Sequence, residues 1–500
     1  MKVLAAEFAE RATRTPDALA IVDELGSHTV GEVMTATRAL SETIGEFVDG
    51  APTVLVQADN TWRTLAAAIG VGLRGGLIAV ISKHASLSEF NLACEDLLPE
   101  VVVASPGVID AWSCSNDVFD ASAEALNGWV LRSKRGASSG SERWRGGSIV
   151  AMTSGSTGRP KCVIQSEDAV RYAARCTIDA VGLEPGDSVG ALVPLSSVAA
   201  FCFGLYLPAM LGGTMVGLNS WNPPDAVDLM REQEVGWTML VPTMALQLSM
   251  VEGSEDALKS LKAMTVGGGP MDTGALERAE IKLGTKFLRV FGMSECLGHT
   301  TPLPTDPVEI RLGRDGRPFP GTTLRIVDES GTEVGLDVVG HAQVNGPSLF
   351  VGYARDGVPQ PPEVTDDGFF PTGDLACLNG DGTVSIVGRE KQIIIRGGRN
   401  IDINQVEAAV AGMSDVIQVC VVPVPDELLG ERAAALIVTD SVDLTIETVT
   451  SFLEQAGIPK RNWPEYVHVV PELPQNRIGK LSRRDAVALA RELSSTRAAK

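Results

Sequence analysis

The chain has 500 residues, 44% hydrophobic and 21% charged, with a formal net charge of −21. That apolar content can offset the conformational entropy of ordering, which excludes a disordered chain, and the length calls for at least two folding units. The acidic balance excludes a general nucleic-acid binder, which needs a basic surface, so an anionic ligand would require a local cationic site.

The opening MKVLAAEFAERATRTPDALA carries acidic residues through its apolar positions, which predicts an amphipathic helix rather than a secretory signal. Short apolar runs then alternate with helical patterns: PTVLVQA near residue 55, GLIAVIS near 79, VVVAS near 103, SIVAM near 150 and WTMLVP near 240. Continuous β-branched runs of this kind predict helix-covered, mostly parallel sheets. The stretch SKRGASSGSERWRGGS, 133–148, reads as mobile surface. Residues 188–224 hold no charge, but Pro208, Gly212 and Gly213 interrupt them. A buried helix, a turn and a buried strand are therefore expected, not a transmembrane segment. After about residue 310, TTLRIVDESGTEVG, GHAQVNG and GDGTVSIVGR predict a small antiparallel barrel or meander. Beyond Gly388, helix and strand patterns alternate over about a hundred residues, a usual domain size. The expected class is thus α/β, with a body over 1–388, including a small β-barrel, and an α+β domain over 389–500. Eight cysteines show no CxxC pair and no clustering with the five histidines. Reduced thiols in a cytoplasm are expected.

The stretch TSGSTGRPK, 153–161, follows SIVAM. A Walker loop has four residues between its glycines and starts a helix at its lysine; here Gly155 and Gly158 are closer and Pro160 precedes Lys161. Its amides and hydroxyls could still wrap a polyphosphate, with Lys161 adding charge, or it could be a Gly-Ser surface turn. VGGGP (266–270) follows LKAMT, and FGMSE (291–295) follows KFLRV, so both are placed at strand ends, where open α/β sheets bind ligands. TGDL places Asp374 in a turn after Phe369 and Phe370, where a carboxylate could accept from a ribose diol. GREKQIIIRGGRNI and PQNRIGKLSRR complete the set. Taken singly, Asp374 reads as a turn residue, Glu295 as a helix cap and Lys480 as a solvated cation.

In this combination and order, the motifs resemble the adenylate-forming superfamily: acyl-CoA synthetases, luciferases and nonribosomal-peptide adenylation domains. The resemblance runs from AERATRTPDALAIVD to GKLSRR. It implies a large body carrying the site and a small carboxy-terminal domain that rotates between two half-reactions. It further implies that Thr153, Ser154, Gly155, Ser156, Thr157, Gly158 and Lys161 hold the β- and γ-phosphates of ATP. Gly268, Gly269 and Pro270 would line the adenine and acyl pockets, with Phe291 and Gly292 also on the ATP. Ser294 would contact the α-phosphate, while Glu295 and Thr153 would hold Mg²⁺. Asp374 would bind the ribose, with Arg389 nearby, and Lys480 would reach the carboxylate and the α-phosphate. Lys391 would be the hinge. Gly397 and Gly398 would permit close approach of a pantetheine arm. The acyl pocket would be lined by Ser196, Ser197, Val198, Phe201, Trp237, Gly267, Gly268 and Met293.

Physical chemistry agrees with these roles. A carboxylate attacking an α-phosphate brings two anions together, so catalysis rests on positioning and charge neutralisation. No general base is needed, because the nucleophile is ionised near pH 7. Nine Lys or Arg against four Asp or Glu over 458–500 supply local cations, although most of that excess reads as a solvated helix face.

Two departures bear on the substrate. Many members of the superfamily carry an aromatic residue and a histidine where this chain has Ser196 and Ser197. The freed volume implies a bulky or alicyclic acyl group, unless Phe201 or Trp237 fills it. Asp and Glu are absent from 188–224, which disfavours a free amino acid, whose buried ammonium would be unpaired. The expected activity is therefore acid:CoA ligation with ATP, Mg²⁺ and CoA, acting on an apolar, bulky or alicyclic carboxylic acid. An acyl carrier protein as acceptor, or a silent nucleotide- or acyl-binding protein, are the alternatives. A homodimer is admitted.

Overall fold

The computed structural model describes all residues except 115–117, 135–136, 154–159, 256, 270, 272, 390–392, 397–398, 427, 442, 477–478 and 499–500. For 137–139, 141, 393, 395, 399–400, 402 and 496–498 the description stops at the backbone.

The apolar runs form the centres of two nine-stranded sheets. In one, Leu19–Asp23, Met215–Gly217, Val189–Ala191, Trp237–Leu240, Ala263–Gly267 and Phe287–Met293 lie parallel. In the other, Gly147–Thr153, Leu77–Ser82, Thr53–Ala58 and Val101–Ala104 are parallel, and antiparallel strands extend both edges. Thr53–Ala58 is buried at every position, as a strand covered on both faces must be. Helices pack between and around the sheets in one continuous core that includes Leu4, Ile69, Val170, Phe201 and Trp237.

The uncharged stretch folds as expected into helix, turn and strand, with one addition. Helix Val198–Ala200 runs into a π-helical turn, Phe201–Tyr206, then Leu207–Leu211, and ends at left-handed Gly212 (φ +72°) before strand Met215–Gly217. Among the described residues no helix is long and apolar enough to cross a membrane.

Within the 133–148 stretch, of which 135–136 lie outside the described residues, Arg143 and Trp144 depart from the expected mobile surface. Trp144 is fully buried and its Nε1 donates to Thr53 Oγ1 at 2.8 Å, while Arg143 pairs with Glu100 at 3.1 Å. A ring buried among Leu55, Phe90 and Trp112 outweighs the flexible composition around it.

The hairpin-rich region is an antiparallel four-stranded sheet in the order Thr323–Val327, Gly340–Asn345, Phe370–Leu378, Val384–Arg389. Among the described residues its two outer strands do not pair, so it stays open. Asp315 fastens it to the body: its carboxylate accepts from Arg289 Nε at 2.9 Å and from the Ile386 amide at 2.8 Å. Beyond it, Ile393–Arg396, Arg399–Asp402, Val416–Asp426, Gly430–Thr439 and Tyr466–Val469 form a separate five-stranded sheet. Helices Ile403–Ala411 and Ile446–Gln455 cover one face, and Arg483–Ala498 the other.

Candidate active site

The loop 154–160 joins two antiparallel strands, Gly147–Thr153 and Lys161–Ser166, with Thr153 directly opposite Lys161. A Walker loop feeds a helix; this one turns back as a strand, so its ends are held by a ladder. Ser154, Gly155, Ser156, Thr157 and Gly158 lie outside the described residues. Lys161 Nζ sits over the Tyr353 ring, 4.5 Å from its centroid.

Gly267 ends the strand Ala263–Gly267, and Gly268 follows with φ +87°. A Cβ on Gly268 would lie 2.6 Å from Lys480 Nζ and would push the end of that side chain aside, while the left-handed backbone favours glycine there. Lys480 arrives on the turn after Gln475, which bridges to Leu481. The neighbouring Gly479 carbonyl accepts from Thr243 Oγ1 at 2.8 Å, and a Cβ on Gly479 would stand 3.2 Å from Met244 Sδ. The body therefore grips the turn that delivers the lysine. Burial, and secondarily Arg389, lower the Lys480 pKa below its ordinary value. Pro270, Lys391, Gly397 and Gly398 lie outside the described residues.

Ser294 and Glu295 form the two-residue turn between Phe287–Met293 and Cys296–Thr301, where Met293 pairs with Cys296. A hairpin, not a helix cap, thus presents Glu295. Buried Gln165 donates to the Ser294 carbonyl at 2.8 Å. The Glu295 carbonyl accepts from the Phe350 amide at 2.8 Å, and its Oε1 accepts from the Tyr353 hydroxyl at 2.7 Å. A Cβ on Gly292 would meet the Gly298 amide at 2.9 Å, so the hairpin is tight. Phe291 packs on His299 with ring centroids 4.5 Å apart. Complete burial pushes the His299 pKa down to about 3.

Asp374 sits within the strand Phe370–Leu378, a correction to its expected place in a turn. Its partner across the ladder is Arg389, whose Nε donates to Asp374 Oδ1 at 2.9 Å. The turn signal came from Gly373, which is left-handed at φ +74° and lies in a bulge of the strand, between the pairs His341–Leu375 and Gln343–Pro371. Asp374 is only 3% exposed, and its amide donates to Thr372 Oγ1. The guanidinium that pairs with Asp374 is also a like charge that contributes to lowering the Lys480 pKa.

On the acyl side, Ser196 is buried and Ser197 Oγ accepts from the Ala200 amide at 3.1 Å, capping the helix that Val198 begins. Phe201 and Trp237 are fully buried, and Trp237 donates to Thr265 Oγ1 at 3.0 Å with Phe203 edge-on to its ring. Phe201 and Trp237, the two rings that could fill the space beside the serines, both belong to the buried core. Met293 packs at the margin of the same core.

Asn60, Gln165 and Tyr353 escaped the sequence reading. Buried Asn60 donates to the carbonyls of Ala191, Val193 and Leu218 and accepts from the Leu195 amide, so it sets the path of the VPLSS loop. Its only local signal was a polar DN pair after a buried strand. Among the described residues no group of three or more His, Cys, Asp or Glu forms a metal cage. The site offers a cation one carboxylate, Glu295, whose Oε2 makes no hydrogen bond to the described residues. That suits Mg²⁺, which is held largely through substrate phosphates and water.

Comparison with known proteins agrees with this geometry. The family described as AMP-binding enzyme matches residues 8–354, and the AMP-binding enzyme C-terminal domain matches 405–480. Triostin synthetase I of Streptomyces triostinicus is 32% identical over 344 residues, 68% of this chain and 65% of that protein. A 2-hydroxy-7-methoxy-5-methyl-1-naphthoate–CoA ligase of Streptomyces carzinostaticus is 27% identical over 99% of this chain and 94% of its own length. ATP-bound MatB from Rhodopseudomonas palustris shares the fold with a TM-score of 0.84 at 24% identity, covering 98% of this chain and 99% of its own.

Proposed function

Because this chain belongs to the AMP-binding enzyme family, we propose that it is an acid:CoA ligase: it activates an apolar carboxylic acid with ATP and passes the acyl group to the thiol of CoA. The observation that carries the first step is Lys480, whose ammonium lies against Gly268 at the end of the strand Ala263–Gly267.

In this reading Asp374 accepts the ribose hydroxyls, and Gly268, Gly269 and Phe291 flank the adenine. Lys161 and the 153–158 loop hold the β- and γ-phosphates, and Ser294 the α-phosphate. Mg²⁺, held by Glu295 and Thr153, would neutralise charge on the phosphates. The substrate carboxylate attacks the α-phosphorus, the bond to the bridging oxygen breaks, and pyrophosphate leaves. Lys480 offsets charge on both the entering carboxylate and the phosphate, so its advantage is largest where those charges converge. Because Gly479 and Lys480 are seated on the body, this arrangement suits adenylation. Thioester formation then requires the 389–500 region to turn about Lys391 and bring Gly397 and Gly398 to the thiol path.

The CoA step rests on the naphthoate–CoA ligase that matches along nearly the whole chain. The absence of acidic residues over 188–224 supports a neutral acyl group. A pyrophosphate-release screen over aliphatic, aromatic and polycyclic acids, with CoA present and absent, tests the proposal. Acyl-CoA formation with one class of acid is expected. Transfer only to an acyl carrier protein would overturn the acceptor, and no pyrophosphate release with any acid would overturn the enzyme.

A further inference from the structure

The site places one unassigned side chain between two groups of opposite charge. Tyr353 lies on the strand Gly352–Arg355, paired with Val163 on the strand that Lys161 begins. Its hydroxyl donates to Glu295 Oε1 at 2.7 Å, and its ring face carries Lys161 Nζ at 4.5 Å. The backbone leading to it is fastened on the same two sides: the Phe350 amide donates to the Glu295 carbonyl, and the Val351 amide to the Ile164 carbonyl. Phe350 closes edge-on against the Tyr353 ring, 4.8 Å between centroids. The residue is thus held between the Glu295 hairpin and the strand that follows the phosphate loop.

We propose that Tyr353 is a positioning residue that aims the Glu295 carboxylate at the metal ion of the ATP complex and seats the Lys161 ammonium toward the polyphosphate. The proposal rests on the reading of Glu295 and Lys161 given above. A carboxylate with one oxygen fixed by a phenol can turn only its other oxygen to an ion, which narrows its orientation before binding. An ammonium on an aromatic face keeps its charge and donors free for phosphate while its side chain is restrained. One ring therefore sets the spacing of the cation that meets phosphate and the anion that meets metal, and each function can be removed separately.

Y353F keeps the ring and removes the hydroxyl, whereas Y353L removes both. Binding of Mn²⁺ in the presence of the non-cleavable analogue α,β-methylene-ATP is read by electron paramagnetic resonance. Binding of the same analogue with EDTA present is read by calorimetry. For Y353F, Mn²⁺ affinity is expected to fall roughly tenfold, about 1.4 kcal/mol, with metal-free nucleotide affinity within twofold of the parent. Y353L is expected to weaken both. Y353F with unchanged Mn²⁺ affinity, or with equal weakening of both measurements, overturns the proposal, because a merely structural role would not separate them. E295Q is the control: if it weakens Mn²⁺ binding while Y353F does not, only Tyr353 is misassigned. If E295Q also leaves Mn²⁺ affinity unchanged, the reading of Glu295 falls with it. Should Y353L fail to fold, the Y353F pair of measurements decides alone.

Discussion

The two sides of the site are built differently. On the body, Glu295 stands on a two-residue hairpin and Asp374 within a ladder, each fixed by strand pairing and by a side-chain hydrogen bond. Opposite them, Lys480 stands on a turn gripped by one hydrogen bond from Thr243 and the packing of Gly479 on Met244. Strand ladders hold a group in one place, whereas a few contacts at a turn can be exchanged for others at modest cost. The groups that bind nucleotide are therefore built in, and the one that neutralises converging charge is delivered.

The sharpest way to break this contrast is to remove the delivered charge. K480A should lower acid-dependent pyrophosphate exchange by roughly 10²–10³-fold, the usual loss for one electrostatic donor. Transfer to CoA from supplied acyl-adenylate should change far less. The pH profile sharpens the same point. Because burial lowers the Lys480 pKa, the ammonium is lost as pH rises through a value below the ordinary ~10.4 of lysine. Exchange should therefore fall on an alkaline limb, and K480R, whose guanidinium stays charged, should be slower but lack that limb.

Next in size is the floor on which the lysine rests. G268A places a Cβ against Lys480 Nζ and imposes left-handed strain of roughly 1–2 kcal/mol. Exchange should fall on the order of twentyfold, while near-ultraviolet circular dichroism retains the native signature. On the fixed side, D374N should raise the KM for ATP roughly tenfold, about 1.4 kcal/mol, with kcat less affected. A rise in the KM for the acid instead would contradict a ribose contact. The smallest effect belongs to the grip itself. T243V removes one hydrogen bond of about 1 kcal/mol, so exchange should slow by roughly threefold to fivefold with the CoA step spared. Equal loss in both steps would mean that the contact does not distinguish the two orientations.

The apolar runs located central strands of both large sheets, Thr53–Ala58, Leu77–Ser82, Val101–Ala104, Gly147–Thr153 and Trp237–Leu240, because burial on both sheet faces demands continuous apolar sequence. Particular errors had a common origin. The composition of 133–148 suggested mobility, but Trp144 reaches a core assembled from strands far away in the chain. Gly373 suggested a turn at Asp374, yet pairing with Arg389 from a strand further along the chain holds Asp374 in a ladder. Asn60, Gln165 and Tyr353 act across separations of 58 to 158 residues, so no local pattern marks them.

Sequence alone determined the kinds of chemistry present: a glycine- and hydroxyl-rich loop before Lys161, the carboxylates Glu295 and Asp374, and the late Lys480. These are chemical identities tied to local backbone requirements, and they survive without knowledge of contacts. Only the tertiary structure decided which of them meet. It put Lys480 on Gly268, Arg389 on Asp374, and Tyr353 between Glu295 and Lys161, because such distances depend on how sheets and turns from distant segments pack, and packing is a property of the whole fold.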